Sequence, residues 1–214
     1  MNAGRAAVLR MALAAALLLP ACVLHGERIV QSLLPFFAEV FSRVAVDFRL
    51  LGLAVVREGA DTVVQATVMW RHFMVVNGRV MQPDPQATAH ASTLLAHALQ
   101  APLAALVAAC AWPVGRAGGV RTAVEVAARG ACLLPLLALL LAADLPLVLA
   151  GELWGLVLEV LDPSAWSALV AWKDFLQGGG RHALGLLAVA LAAAAGRWIS
   201  ALPVRAAAPP AAAA

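Results

Sequence analysis

Residues 131–150 read ACLLPLLALLLAADLPLVLA, with Asp144 as the single charge. A membrane span needs about 20 mostly apolar residues to cross roughly 30 Å of hydrocarbon. This run is long enough. Working outward from it, residues 6–24, 92–112 and 182–202 form three further apolar runs of similar length. The composition agrees: 63% of the chain is hydrophobic and only 13% is charged. Soluble domains are about 45–50% apolar and about 25% charged. The expected fold is a membrane all-α bundle of four transmembrane helices, with smaller structures between the spans.

The arginines orient the bundle. Arg5, Arg10, Arg116, Arg121, Arg129, Arg197 and Arg205 fall on one side of the runs, with Glu125 as the only acid beside them. The other side mixes basic residues with acids over longer segments. The positive-inside rule then predicts that both termini are cytoplasmic. The predicted parts are an N-terminal signal anchor (1–28), an outer segment (29–90), a second span (91–114) and a cytoplasmic loop (115–130). A third span (131–150), an outer hairpin (151–181), a fourth span (182–202) and an Ala/Pro-rich cytoplasmic tail (203–214) follow. Trp112 and Trp198 fall at inner span ends, and Trp154, Trp166 and Trp172 at the outer interface. Leu19-Pro20-Ala21-Cys22 also permits a second reading of the first run, as a lipoprotein signal cleaved before Cys22.

The outer segment changes period along its length. Residues 29–43 read as a helix with Ile29, Leu33, Phe36, Phe37, Val40 and Phe41 on one broad face. It either continues the first span or lies on the membrane. From Val46 to Gln82 the pattern is that of a periplasmic antiparallel β segment. Residues 53–56 and 62–68 are rich in β-branched side chains around a Glu58-Gly59-Ala60-Asp61 turn. Asn77-Gly78 is the strongest hairpin signal, because both turn positions require positive φ. About three strands are expected, and a sheet so small needs a surface to pack on.

The second outer segment reads as an interfacial helical hairpin. One helix covers Glu152 to Leu161. Asp162 as N-cap and Pro163 at the first helical position start the next. Gly178, Gly179 and Gly180 end it, as a hinge or close-packing site or as a plain flexible linker.

Polar residues in apolar spans are the natural candidates for function, since burying charge in lipid is costly. His90, Thr93, His97 and Gln100 recur at helical spacing and are expected on one face of span two. Asp144 sits at a similar depth on span three, with Arg181 and His182 at the mouth of span four. A His97–Asp144 contact is expected, with Arg181 as the competing partner. The plain reading is a clasp between helices; the sharper one is a proton-handling or substrate-contacting site.

No catalytic, cofactor-binding or metal-ligating set is expected. There is no nucleophile elbow, HExxH, P-loop or dinucleotide fingerprint. Cys22, Cys110 and Cys132 lie in or beside apolar runs and form no CxxC or Cys/His cluster. Basic residues are dispersed without an aromatic-studded face, which argues against nucleic acid.

Two junctions carry a resemblance. Ala91-Ser92-Thr93-Leu94-Leu95 and Phe175-Leu176-Gln177-Gly178-Gly179-Gly180-Arg181, within this overall plan, resemble the exosortase H-associated membrane proteins. The resemblance implies a bacterial, non-enzymatic inner-membrane accessory to a protein sorting system. Its partners would be the lipid bilayer and an exosortase or its sorted substrates. The alternative is a membrane-embedded enzyme or carrier using His97, Asp144 and Arg181.

Overall fold

The computed structural model describes residues 3–76, 78–84, 86–115 and 119–201. Asn77, Arg116 and the 203–214 tail lie outside the described residues.

Helix α1 runs unbroken over Ala3–Val44, 42 residues, or roughly 63 Å at 1.5 Å per residue. That is about twice the hydrocarbon thickness of a bilayer. Residues 29–43 therefore continue the first apolar run. The two halves differ in surroundings. Leu13, Leu17 and Val23 in the first half are exposed, whereas Val30, Phe37 and Phe41 in the second are fully buried.

What they are buried against is a sheet. β1 (Phe48–Glu58) and β2 (Asp61–Trp70) form an antiparallel hairpin. Its turn is closed by Gly59 at φ 63°, a conformation that costs little without a Cβ. The third strand is β5 (Ala89–Leu94), paired antiparallel with β2, in the order β1-β2-β5. Val64, Ala66, Val68 and Ala91 make its buried face.

A hairpin also forms around Gly78, as β3 (Met74–Val76) and β4 (Arg79–Met81), with Gly78 at φ 77°. It makes a separate two-stranded sheet and does not extend β1-β2. The expected third strand is thus replaced by residues read as the lead-in to span two. Ala89, Ala91 and Thr93 sit opposite Val68, Ala66 and Val64. Their alternation fits the free edge of β2, and the pairing satisfies backbone groups that a helix start would leave open.

The remaining chain is helical. α2 covers Leu95–Ala111, α3 Gly119–Ala143, α4 Leu145–Leu161 and α5 Ala168–Phe175. A π-helical turn, Leu176–Gly180, leads into α6, Arg181–Ala201. The 131–150 run does not coincide with a single helix. α3 begins at Gly119, and the helix breaks at Asp144 (φ −93°, ψ −90°) and resumes as α4. α4 owes its apolar character to a core: Leu145, Leu149, Ala150 and Leu153 pack with buried residues of the sheet. Phe48 stacks on Trp70 at 4.7 Å between ring centroids, and Trp154 meets both edge-on at 5.9 and 6.4 Å. Trp154 is thus half-buried, packed against the core through this aromatic group.

Asp162 is not an N-cap. It ends α4, and its Oδ1 accepts from Ser164 N and Ser164 Oγ at 3.3 and 2.8 Å. This local turn uses the side chain that would have capped a helix, and α5 starts only at Ala168.

Three helical stretches are long and apolar enough to cross a membrane: Gly4–Val44, Gly119–Leu161 and Ala168–Ala201. α2 is apolar but shorter, at 17 residues. Two buried cores result. One joins the sheet, the second half of α1 and α4. The other joins α2, α3 and α6 around Ala105, Leu133, Val189 and Ala192.

α4 and α5 touch at Gly151, where an added Cβ would lie 2.7 Å from Leu169 O and 2.9 Å from Lys173 Cβ. Gly155, one turn on, has room. Gly151→Ala should therefore lower stability by about 1–3 kcal/mol through overpacking. Gly155→Ala should be neutral or stabilising by up to about 1 kcal/mol through helix propensity. Thermal unfolding in detergent checks the pair; equal effects would contradict the close approach.

Candidate functional site

The buried charges of the described chain are Glu125, Arg129, Asp144 and Arg181. They form two ion pairs. Asp144 and Arg181 are 3% and 4% exposed, so neither charge can be left to water. Arg181 Nε donates to Asp144 Oδ1 at 2.8 Å and Oδ2 at 3.0 Å.

Local structure explains why Asp144 is there. Pro146 has no N–H and interrupts the helical ladder between α3 and α4. The break frees a carbonyl at Ala143, and Trp172 Nε1 donates to it at 2.8 Å. Asp144 N still bonds Leu140 O, and its own carbonyl accepts from Val148 N, both at 2.9 Å. These bonds hold the backbone of Asp144 and Ala143 at the break, and the carboxylate meets Arg181 of α6.

Arg181 is delivered by the glycine run. α5, the π-helical turn and α6 follow one another without a linker from Ala168 to Ala201. The direction changes at Gly179, whose φ of 106° is reserved in practice for glycine. A Cβ on Gly180 would collide with the Phe175 ring and carbonyl. Gly178 has open space. Gly179 and Gly180 thus set a kink that a side chain at either position would disturb.

The other candidates divide. His97 sits on the first turn of α2, half-buried, within electrostatic range of both Asp144 and Arg181. The carboxylate's hydrogen bonds go to Arg181, the competing partner. Gln100 is half-buried on α2, and His182 is exposed. His90 and Thr93 are not on the helical face with His97, because the helix starts at Leu95. Both stand on β5. His90 Nδ1 lies 3.1 Å from Thr67 Oγ1 on the exposed face of the sheet, and Thr93 pairs with Val64. Spacings of three and four suit a helix, but the same residues also satisfy the register of a strand edge.

The second pair was absent from the sequence-derived candidates. Arg129 Nη2 donates to Glu125 Oε1 at 2.6 Å and to Pro113 O at 3.2 Å. Glu125 Oε2 accepts from Gly115 N at 3.1 Å. Gly196 of α6 packs so closely here that an added Cβ would lie 3.0 Å from Glu125 O and 3.1 Å from Arg129 N. The group ties the end of α2 to α3 under α6. The i, i+4 spacing of Glu125 and Arg129 was the available signal, but in sequence it is indistinguishable from a solvated surface pair.

A third, more exposed group ties α4 to α5. Gln177 Nε2 donates to Glu152 Oε1 at 3.0 Å, and Lys173 Nζ lies 3.6 Å from Glu152 Oε2. Among the described residues, no three His, Cys, Asp or Glu side chains gather as a metal site would require. The Asp144–Arg181 arrangement is therefore a polar latch: its two charges are engaged with each other at the junction of bundle and cap. Comparison with protein-family models, curated proteins and solved structures finds no match.

Removing one partner of the latch leaves a buried charge without compensation, typically a loss of about 3–5 kcal/mol. Arg181→Met should destabilise the fold by that order. The double variant Asp144→Leu with Arg181→Met should recover much of the loss. Asp84→Asn, at an exposed turn, should change stability by less than about 0.5 kcal/mol. Unfolding in detergent measures these together with the Asp144→Leu single variant, and additive effects of the two single substitutions would contradict the pairing.

Proposed function

We propose that this chain is a four-span, non-enzymatic inner-membrane accessory protein whose cap assists an exosortase-type sorting system on the periplasmic side. The single observation that carries the membrane part is the change of surroundings along α1. Its first half presents exposed Leu13, Leu17 and Val23, while its second half is buried against a sheet. Apolar side chains facing outward suit lipid, and buried ones suit a water-borne core. α2 then serves as the fourth span. It is short because β5 runs directly into it, and helix tilt or local thinning of the bilayer accommodates such a length.

The partner class rests on the resemblance alone, and its two segments fall at related places. Ala91–Leu95 is the passage from β5 into α2, and Phe175–Arg181 is the kink that delivers Arg181 to Asp144. Both connect cap to bundle. An accessory role fits a polar site whose charges are already mutually engaged. The enzyme or carrier reading needs His97, Asp144 and Arg181 free to act, and the bonding of Arg181 to Asp144 speaks against it.

Reporter fusions at Gly118 should behave as cytoplasmic and fusions at Gly59 as periplasmic. The opposite pattern at either position would defeat the topology. Affinity purification of the tagged chain from its own host should enrich an exosortase; its repeated absence would remove that partner.

A further inference from the structure

β1 stands at the end of the sheet order, so its second edge has no strand partner among the described residues. A bulge falls between Leu50 and Gly52. From Gly52 to Glu58 the register with β2 is unbroken, a run of roughly 20 Å at about 3.3 Å per residue. Along it, alternate residues turn their N–H and C=O away from β2. Bulges and charges are the usual protection of such edges. Here the bulge lies before the run and leaves it in register.

Beside this edge lies a groove of about 510 Å³, with Leu51, Gly52 and Leu53 on one wall and Leu34, Pro35 and Ala38 of α1 on the other. Further along the same helix and strand, Glu27, Arg57 and Thr62 line a polar hollow. Two features of the groove have no use within the chain. Gly52 is not at positive φ, and a Cβ added to it would meet nothing within 4 Å. Neither backbone conformation nor packing therefore calls for a glycine, and a glycine inside a strand marks a bulge or the close approach of another backbone. Pro35 has no N–H, so the Gln31 carbonyl on the α1 wall lacks its helical donor.

The groove thus offers a row of backbone groups, an apolar floor and a carbonyl without its donor. An extended main chain matches these, whereas an acyl chain would strip the polar groups of water without pairing them. The charges alongside are of both signs: Glu27, Arg28, Glu39 and Arg43 on α1, Arg49, Arg57 and Glu58 on β1, and Asp47 and Asp61 at its ends. Glu39 is paired with Arg43, and Glu58 accepts from Gln65 and Ser92. Charge therefore favours neither an acidic nor a basic occupant, and it sets the groove outside hydrocarbon. A second copy fits poorly. β1 runs from Phe48, at the far end of the cap, toward the bundle, where Val63 of β2 pairs with Leu94 at the start of α2. Antiparallel pairing of two β1 strands would turn the second bundle away from the bilayer of the first. Two-fold parallel pairing would set the covered face of one sheet beside the open face of the other. We propose that the Gly52–Glu58 edge docks an extended segment of a partner protein that alternates apolar with polar residues. Its main chain pairs with β1, and its apolar side chains lie on Leu34 and Leu53. The proposal rests on the reading that the cap stands in water above a bilayer, and not on the partner's identity.

The test uses the full chain in lipid nanodiscs and a short labelled peptide alternating valine with threonine, read by fluorescence anisotropy. Two further versions carry N-methyl groups on the valine amides or on the threonine amides. Adjacent amides of a strand point to opposite edges. One methylation pattern should therefore weaken binding at least roughly tenfold, and the other should leave it unchanged. A peptide alternating glutamate with lysine has no apolar face and should also bind at least roughly tenfold more weakly. Leu34→Glu should weaken binding of the valine–threonine peptide by a similar factor. Gly52→Val adds a side chain that meets nothing in the chain, so thermal unfolding should stay unchanged or rise while binding falls. That variant keeps the proposal testable if Leu34→Glu disturbs α1. Equal effects of the two methylation patterns, no binding of the valine–threonine peptide, or indifference to both variants would overturn the proposal. So would a dimer that Gly52→Val disperses, since a second copy would then hold the edge. Failure of the membrane reading would show separately, as a chain that does not enter nanodiscs; the peptide arms are then read in detergent.

Discussion

The buried pair of Asp144 and Arg181 is the constraint around which the rest is arranged. A carboxylate this deeply buried is tolerated only with a cation bonded to it. Arg181 can reach it only because the chain turns sharply at Gly179 and starts α6 beside the α3–α4 break. The break itself is stabilised by the Trp172 indole on the Ala143 carbonyl. Three features that look separate in sequence, a proline after an aspartate, a tryptophan and a glycine run, thus serve one junction. The junction holds the sheet-bearing cap upright on the helical bundle.

A second buried pair works at the other end of the bundle. Glu125 and Arg129 bind the loop after α2 and sit under Gly196 of α6. One buried pair therefore joins α6 to the end of α3 and the other joins α3 to the loop after α2, with small apolar contacts among α2, α3 and α6 between them. Gly185 meets the Ala101 carbonyl closely enough that an added Cβ would lie at 3.0 Å. Such small residues let the two helix backbones approach closely. Polar ends then fix register, which apolar packing alone leaves loosely specified.

The cap obeys a different rule. Its helices are as apolar as the spans, but their apolar groups face a sheet. α1 and α4 extend beyond the bundle and bury Phe37, Phe41, Leu149 and Leu153 beneath β2 and β5. Here the hydrophobic effect operates as in a soluble domain, with one face of the sheet covered and the other bearing Gln65, Thr67, His90 and Ser92. The small antiparallel sheet, marginal alone, is stabilised by those two helices. Among the described residues, no helix packs substantially on the β3–β4 hairpin.

Much of this was legible without coordinates. Apolar length, low charge and the β-branched segments after residue 46 determined that helices long enough for a membrane would carry a small antiparallel sheet. Gly59 and Gly78 marked turns because positive φ is a local property of the backbone. The Asp144–Arg181 pairing was within reach as the alternative to His97, because a buried charge must find a partner and few were available. Tertiary structure alone decided the rest. Hydropathy reports that a residue avoids water and not whether lipid or a sheet replaces it, so α4 merged with the third span. His90 and Thr93 fitted a helical face as well as a strand, and only the free edge of β2 settled the choice. Glu125 and Arg129 carried no sign of burial, because burial depends on what the other helices bring against them.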